Sequence, residues 1–242
     1  MIERLRSSFA VWLSIALLPF LAFSLERAEK PPDIATVIQG VDASVKNRLN
    51  RLAGYTVTEH YAVFRGQDEA HPVAEMLVKT TYRKESGKVF DILSQSGSAL
   101  WRREVLGTLL DNEKRMSQPG NVETALITSA NYDMQLDKNS MQTLDGLQCV
   151  VLDITPRRSS QYLFKGMLWV DAGNYAIVQL KGTAAKSAVF FASAAEVSRQ
   201  YAEKDGLPMA THANAVSGGT LLGRTVVKID YSSYAMDVVP AS

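Results

Sequence analysis

Residues 162–171 read YLFKGMLWVD, the next three residues read AGN, and residues 175–180 read YAIVQL. Each longer run places apolar side chains at the spacing of a β-strand and is rich in aromatic and aliphatic residues. The small and polar residues between the two runs are typical of a tight turn. The stretch therefore predicts a strand, a turn and a second strand.

The first of these runs is apolar on both of its faces. Successive residues of a strand point to opposite sides, so Phe164 and Leu168 share one face while Met167 and Trp169 share the other. A sheet with one solvated face alternates apolar and polar residues more cleanly. Two apolar faces favour a curved sheet with a helix on one side and a further apolar volume on the other. That volume is either filled by side chains or open to a hydrophobic ligand.

Outward from this hairpin, a period of two residues dominates most of the chain. Glycine, proline, aspartate and asparagine residues separate the predicted strands. Strands joined in sequence order by short turns predict an antiparallel meander, here with about nine to eleven strands. The other predicted strands cover residues 55–63, 76–82, 89–93, 132–136, 148–154, 188–197, 200–204, 209–216 and 224–234.

Two regions carry the helical period instead. The first begins after Asp33 as the predicted N-cap and ends just before Gly54. Its apolar stripe, at steps of three and four, comprises Ile34, Val37, Ile38, Val41, Val45, Leu49 and Leu52. The second region, 98–118, interrupts the strands, and residues 122–127 add a short helix. We interpret this insertion either as a movable lid or as a helix packed permanently on the sheet.

The N-terminus has the three parts of a secretory signal peptide. Arg4 and Arg6 supply positive charge, and residues 9–23 are apolar apart from one serine and one proline. Small residues then precede a predicted cleavage site between Ser24 and Leu25. The apolar run is shorter than the roughly 20 residues that span a bilayer, and an uncleaved membrane anchor is the alternative.

This pattern divides the chain into three parts. A signal peptide covers residues 1–24, a polar linker with two prolines covers 25–33, and a single domain covers 34–242. No shift of composition marks a further boundary inside the domain. We therefore expect an exported, soluble protein.

Composition excludes several classes of function. The chain of 242 residues has 26 Lys and Arg against 25 Asp and Glu, and 46% of its residues are hydrophobic. Ordinary apolar content argues against disorder, and the net charge of +1 offers no excess of cations to neutralise nucleic-acid phosphates. The single cysteine, Cys149, excludes an internal disulfide and reads as a buried core residue. Scattered His60, His71 and His212 predict no metal site, and no catalytic or cofactor-binding motif is found.

Several short motifs along the chain resemble a known family. They are NRLNRL at 47–52, YTV at 55–57, GMLWVD at 166–171, YAIV at 175–178, DGLP at 205–208, GRTV at 223–226 and IDY at 229–231. In this order, after a signal peptide and an amphipathic helix, they resemble the LolA-like proteins. These are the periplasmic lipoprotein carriers and outer-membrane lipoprotein-sorting proteins of Gram-negative bacteria.

The resemblance implies a fold and a function. The fold would be mainly β with helices (α+β): an incomplete antiparallel β-barrel with an N-terminal helix and a helical, lid-like insertion. The protein would be a periplasmic monomer that shelters lipoprotein acyl chains or lipid in an apolar cavity. Transport proteins of the inner or outer membrane would be its partners, and the resemblance implies no catalysis, no cofactor and no nucleic-acid ligand.

Ten apolar residues are the candidates for lining this cavity and its lid. They are Met76, Val78, Phe90, Ile92, Trp101, Val105, Leu109, Phe164, Leu168 and Trp169. Two other functions remain open at this point. An envelope sensor or structural module of the same fold would bind a protein partner. An enzyme would need polar groups that converge in the cavity, for example His60 or His212 beside a carboxylate.

The signal peptide makes a direct prediction about the exported form. We expect cleavage after Ser24, so N-terminal sequencing of the secreted protein should begin at Leu25. An intact Met1 in a membrane fraction would contradict this and would favour the uncleaved anchor.

Overall fold

Ten antiparallel strands form one sheet in the computed structural model, which describes residues 32–185, 195–218 and 223–240. This confirms the predicted fold class of a mainly β, incomplete barrel with helices. The signal peptide, most of the linker and most of the predicted strand 188–197 lie outside the described residues. The strands are β1 Leu52–Arg65, β2 Ala74–Arg83, β3 Gly87–Gly97, β4 Tyr132–Leu144, β5 Leu147–Pro156, β6 Phe164–Asp171, β7 Ile177–Ala184, β8 Glu196–Lys204, β9 Leu207–Ser217 and β10 Thr225–Val238.

The strand order is β3-β2-β1-β10-β9-β8-β7-β6-β5-β4. Each of the runs β1–β3 and β4–β10 is a meander, as predicted, and the two runs join where β1 pairs with β10, for example Tyr61 with Ile229. Two of the hairpin turns have two consecutive residues with positive φ, Asp145-Gly146 and Asp205-Gly206. This conformation matches the right-handed twist of paired strands. Within the described residues, β3 and β4 form the two ends of the sheet, so it does not close on itself.

The N-terminal helix α1, Ile34–Arg51, covers the sheet over β4–β7. Its predicted N-cap is confirmed, because the Asp33 carboxylate accepts a hydrogen bond of 3.0 Å from the Thr36 amide. The helix buries Val37 and Val41 completely in a cluster with residues of β4–β7. A Cβ atom at Gly40 would lie 2.1 Å from the Tyr175 ring, so glycine permits this close approach. The helix ends at Arg51, and β1 begins at once with Leu52.

The insertion after β3 is helical, but its first half is not a regular α-helix. It consists of α2 Ala99–Trp101, a π-helical segment Arg102–Gly107, α3 Thr108–Met116 and α4 Val122–Ala125. The side chains of Trp101, Val105, Leu106 and Leu110 are buried in one cluster with residues of β1, β2, β9 and β10. The Ser117 hydroxyl, just after α3, accepts a hydrogen bond of 2.8 Å from the Lys88 amide on β3. For this part of the insertion, these contacts favour the second interpretation, a helix packed permanently on the sheet, and not a movable lid.

The opposite face of β5–β7 has its own apolar cluster. Cys149, Val151 and Trp169 are buried there, and Met167 packs against them. Burial of Cys149 is confirmed, and this burial raises the pKa of its thiol. The Trp169 indole donates a hydrogen bond of 3.0 Å to the Gln142 side chain. Both faces of β6 are therefore apolar because each one packs against a separate cluster.

This cluster gives a prediction for Trp169. We expect Trp169→Ala to lower the free energy of unfolding by about 3–5 kcal/mol, because a large buried aromatic side chain would leave a cavity. Urea unfolding followed by circular dichroism measures the change. A loss of only a few tenths would show that the indole contributes little to this side of the sheet.

Candidate ligand-binding cavity

A cavity of about 420 Å³ lies between the sheet and the helices α1, α3 and α4. Ligand-binding pockets typically measure about 300–1,000 Å³. Most of the cavity lining is apolar. Apolar side chains come from all three helices, from the strands and from the segments next to them, among them Val45, Leu49, Leu109, Met116, Val122, Leu126, Ile127, Phe164, Ile177, Leu180, Ala195, Val197, Met209, Ala213, Val227 and Ile229.

The ten residues proposed from the sequence are distributed over several environments. Leu109 and Phe164 line the cavity. Met76, Val78, Trp101 and Val105 are buried in the cluster under the insertion, with Phe90 packed against them. Leu168 is buried against α1 and its neighbours. Trp169 lies on the opposite face of the sheet, and Ile92 is 51% exposed on the edge strand β3. The structure thus brings two of the ten to the cavity.

Among the residues that the structure describes, four charged ones also line the cavity, and none of them is among the candidates from the sequence. They are Arg48 on α1, Lys88 on β3, Glu113 on α3 and Arg199 on β8. Glu113 bridges two of the cations: one carboxylate oxygen contacts Lys88, and the other lies 3.5 Å from the Arg199 guanidinium. The Lys88 and Glu113 side chains are only 14% and 12% exposed. The bridge therefore ties α3 to both halves of the sheet.

The charge state of Glu113 follows from these neighbours. Burial alone would raise the pKa of its carboxyl, but Lys88 and Arg199 outweigh burial and hold this pKa below its ordinary value. Glu113 is accordingly ionised at neutral pH. A paired charge of this kind is strongly destabilising to break, because removal of one partner leaves the other buried and uncompensated.

A second buried carboxylate, Glu59 on β1, is near enough to Lys88 and Glu113 to interact with their charges. It accepts a hydrogen bond from the Tyr61 hydroxyl, while its other oxygen is buried without a hydrogen-bond partner among the described residues. Burial raises the pKa of Glu59 in spite of the positive charge of Lys88. Tyr61, next but one along β1, is also buried, and burial together with the nearby Glu113 and Glu59 raises the pKa of its phenol.

The histidines lie away from the cavity lining. His60 is 3.2 Å from the Glu75 carboxylate, and His212 is 2.6 Å from the Asp230 carboxylate. Their side chains are 44% and 61% exposed. His60 alternates along β1 with the inward-facing Glu59 and Tyr61, so it points to the outer face. These two pairs were the sequence's example of polar groups that an enzyme would bring together in the cavity, and the structure places both pairs outside the cavity lining.

The sequence does not indicate that these charged residues face a cavity. Glu113 lies in a helical segment with Asp111, Lys114 and Arg115, and a charged residue in such a polar segment is expected to face solvent. Arg199 and Lys88 stand in strands of mixed polarity. The one available signal is the parity of the strands, since Lys88 shares a face with Phe90 and pairs with the buried Tyr82.

Comparison with known proteins identifies similar folds. The chain is similar to the crystal structure of a putative outer-membrane lipoprotein-sorting protein domain from Vibrio parahaemolyticus, at 12% identity and a TM-score of 0.49, over 81% of this chain and 90% of that chain. It is also similar to a LolA superfamily protein from Nitrosomonas europaea, at 12% identity and a TM-score of 0.46, over 85% and 94% of the two chains.

A third similar structure is a DUF1329 family protein from Desulfovibrio piger, at 14% identity and a TM-score of 0.43, over 85% of this chain and 95% of that one. The first two of these structures are described as a lipoprotein-sorting protein domain and a LolA superfamily protein, which is the family that the sequence motifs resemble. The likeness concerns the fold alone. No family model and no curated protein sequence matches the chain.

Two further features hold for the residues that the structure describes. In that part of the chain, no group of three or more histidine, cysteine, aspartate or glutamate side chains is arranged to hold a metal ion. None of the helices there combines the length and the apolar character that crossing a membrane requires.

Glu59 makes the stability of the protein depend on pH in a defined direction. Its pKa in the folded protein lies above the ordinary value of 4.5, so the folded state binds the proton more tightly than the unfolded state. Stability therefore falls as the pH rises through 4.5 and through the folded-state pKa. We expect Glu59→Gln, which cannot ionise, to gain stability relative to the unmodified protein over this range.

Urea unfolding at a series of pH values from about 4 to 8 tests this prediction. The exposed carboxylate Glu203 on β8 provides the matched control, Glu203→Gln, for which we expect a smaller change with pH. If the difference between the Glu59 variant and the unmodified protein stayed constant or shrank with rising pH, burial of Glu59 would not control its ionisation.

Proposed function

We propose that this protein is an exported periplasmic binding protein that carries lipidated or lipophilic cargo in its cavity. The observation that supports this most directly is the apolar cavity between α1, α3 and the sheet. The sequence predicted this volume on the side of the sheet away from the helix. The cavity instead lies on the same side as α1, while the far face of β6 is packed with the cluster around Trp169. The cargo would be the acyl chains of a lipoprotein or a free lipid, and membrane transport proteins would deliver and receive it.

Binding would depend on the hydrophobic effect. Each methylene group transferred from water to the cavity contributes about 0.8 kcal/mol, so one long acyl chain supplies enough free energy for stable capture. Release would require the cavity to open, and the insertion is the cover that we propose for it. Leu109 and Met116 of α3 face the cavity, while the preceding segment is packed on the sheet. The buried Leu110 and the bridge of Glu113 to Lys88 and Arg199 also hold α3 on the sheet. We therefore place any movement at α4, which contains no buried residue, and regard α2, the π-helical segment and α3 as the fixed part.

Native mass spectrometry of the protein purified from the periplasm of its source cells would identify acylated cargo directly. The role of the cavity is tested by filling it. Ala213 on β9 lines the cavity, so we expect Ala213→Phe to weaken binding of the apolar dye N-phenylnaphthylamine about tenfold or more, because a hydrophobic pocket discriminates strongly against excess volume.

Ala202→Phe is the matched control, since Ala202 is exposed on the neighbouring strand β8 and is not part of the lining. It should bind the dye as the unmodified protein does, and thermal unfolding of both variants checks that they are folded. Equal dye binding by the two variants, or no binding by the unmodified protein, would overturn the proposed carrier function.

A specific observation also favours the second candidate, a module that binds a protein partner. The edge strand β3 exposes three apolar side chains, Val89, Ile92 and Leu93, each more than half exposed. Edge strands offer unpaired backbone groups to an added strand, and exposed apolar residues beside them are typical of such docking sites. If purified protein contains no lipid but captures a partner through β3, this second function is the correct one.

A further inference from the structure

The charged side chains of the cavity do not balance one another. Among the described residues that line it, Arg48, Lys88 and Arg199 carry three positive charges, and Glu113 carries one negative charge. The buried Glu59 lies behind the lining and adds at most one more negative charge. At least one positive charge of this wall is therefore uncompensated by Glu113 and Glu59, the carboxylates counted here among the described residues.

The three cations differ in how fully the protein engages them. Arg48 donates to the Pro208 carbonyl at 2.9 Å and contacts the Met209 sulfur at 3.6 Å. Lys88 contacts one oxygen of Glu113 and is almost completely buried. Arg199 reaches the other oxygen of Glu113 through one terminal nitrogen at 3.5 Å, the outer limit of a hydrogen bond, and its side chain is 30% exposed.

The phenols of Tyr231 and Tyr201 also lie beside the Arg199 guanidinium. Its single contact with Glu113 and its neighbour Tyr201 leave further N–H donors for a ligand. A guanidinium carries five N–H donors in a planar fork that matches a carboxylate or a phosphate. Its neighbours across the strands are Leu180 on β7 and Ala213 on β9, both of which line the apolar part of the cavity. A polar group of a ligand bound to Arg199 would thus lie directly beside the apolar part of the cavity.

We propose that Arg199, supported by Lys88 and Glu113, binds the anionic head group of an amphiphile whose acyl chain occupies the apolar part of the cavity. The shared chemistry of the head is a carboxylate or a phosphate, as in a fatty acid or an anionic lipid. This inference rests on the proposed function, because it names the class of cargo that the same cavity selects.

The physical reason is that Lys88 and Arg199 share one carboxylate of the lining, Glu113, so their combined positive charge is only partly compensated. In a largely apolar cavity an unpaired positive charge is unfavourable, and an anion placed against it removes that cost. A neutral amphiphile would leave the charge uncompensated, and a cationic amphiphile would add repulsion. Selectivity should consequently follow the charge of the head group when the chain is kept the same.

Four ligands with the same sixteen-carbon chain separate these cases: hexadecanoate, hexadecyl phosphate, hexadecanol and hexadecylammonium. Displacement of N-phenylnaphthylamine measures their affinities for the full-length mature protein. We expect at least one anionic ligand to bind about tenfold to a hundredfold more tightly than hexadecanol, and the ammonium ligand to bind most weakly. Preference for hexadecanoate assigns a fatty-acid source, and preference for hexadecyl phosphate assigns a phospholipid source.

The variant Arg199→Gln should abolish this preference for the anionic head while it changes hexadecanol binding by no more than about threefold. Arg199→Lys retains the positive charge and should keep most of the preference. Lys79→Gln, at an exposed position on β2, removes one positive charge elsewhere and is the matched control.

The outcomes separate this inference from the function on which it rests. If hexadecanol binds as tightly as both anionic ligands, the head-group site is refuted while the carrier function stands. If none of the four ligands displaces the dye and none is bound directly, the proposed function fails and this inference fails with it. The comparison of ligands on the unmodified protein decides the matter even if Arg199→Gln does not fold.

Discussion

The pairing of β1 with β10 is the interaction on which the architecture depends. These two strands, each of 14 residues, are the longest in the sheet, and they join the meander β1–β3 to the meander β4–β10. Helix α1 leads directly into β1, and the insertion follows β3, so the position of both helical covers is set by this one antiparallel ladder. Without it, the cavity would lose the boundary between its two halves, since Tyr55 on β1 and Val227 on β10 both line it.

The lining of the cavity offers two different kinds of interaction to the ligand that we propose. Its apolar part contributes in proportion to the area that a ligand buries, and this contribution does not depend strongly on what the ligand is. The bridge of Lys88, Glu113 and Arg199 is different, because it is directional and sits on three separate elements. The same bridge holds α3 against the sheet, so the head-group site that we propose would use the side chains that also hold this cover in place.

The sequence predicts those parts of the fold that depend on local periodicity. Helix α1 with its Asp33 cap and the run of strands from Tyr55 onward follow from spacing alone, because burial of one face repeats at 3.6 or two residues. The pairing of Tyr61 with Ile229 has no local signal, since it joins residues at opposite ends of the chain. The resemblance to a known family supplied the open barrel that periodicity could not.

The site was harder to predict than the fold, and Trp169 shows why. Both faces of β6 are apolar, so the pattern identifies Trp169 as buried but does not say which cluster buries it. Conversely, Arg199 and Glu113 lack any local mark, because a charge that faces a cavity looks the same in a sequence as a charge that faces water. Only the tertiary arrangement, which brings β8, β3 and α3 together, distinguishes the two.

The two separate ends of the sheet, β3 and β4, have a mechanical consequence. A closed barrel has a diameter fixed by the number and stagger of its strands, so the barrel widens only when backbone hydrogen bonds between strands break. In the described part of this protein, the ten-stranded sheet can flatten or curl while every strand keeps its neighbours. The curvature of the sheet around the cavity is therefore limited by side-chain packing and strand twist, and not by the need to break backbone hydrogen bonds. A thicker or thinner occupant is accommodated by a change of curvature shared among nine strand pairs.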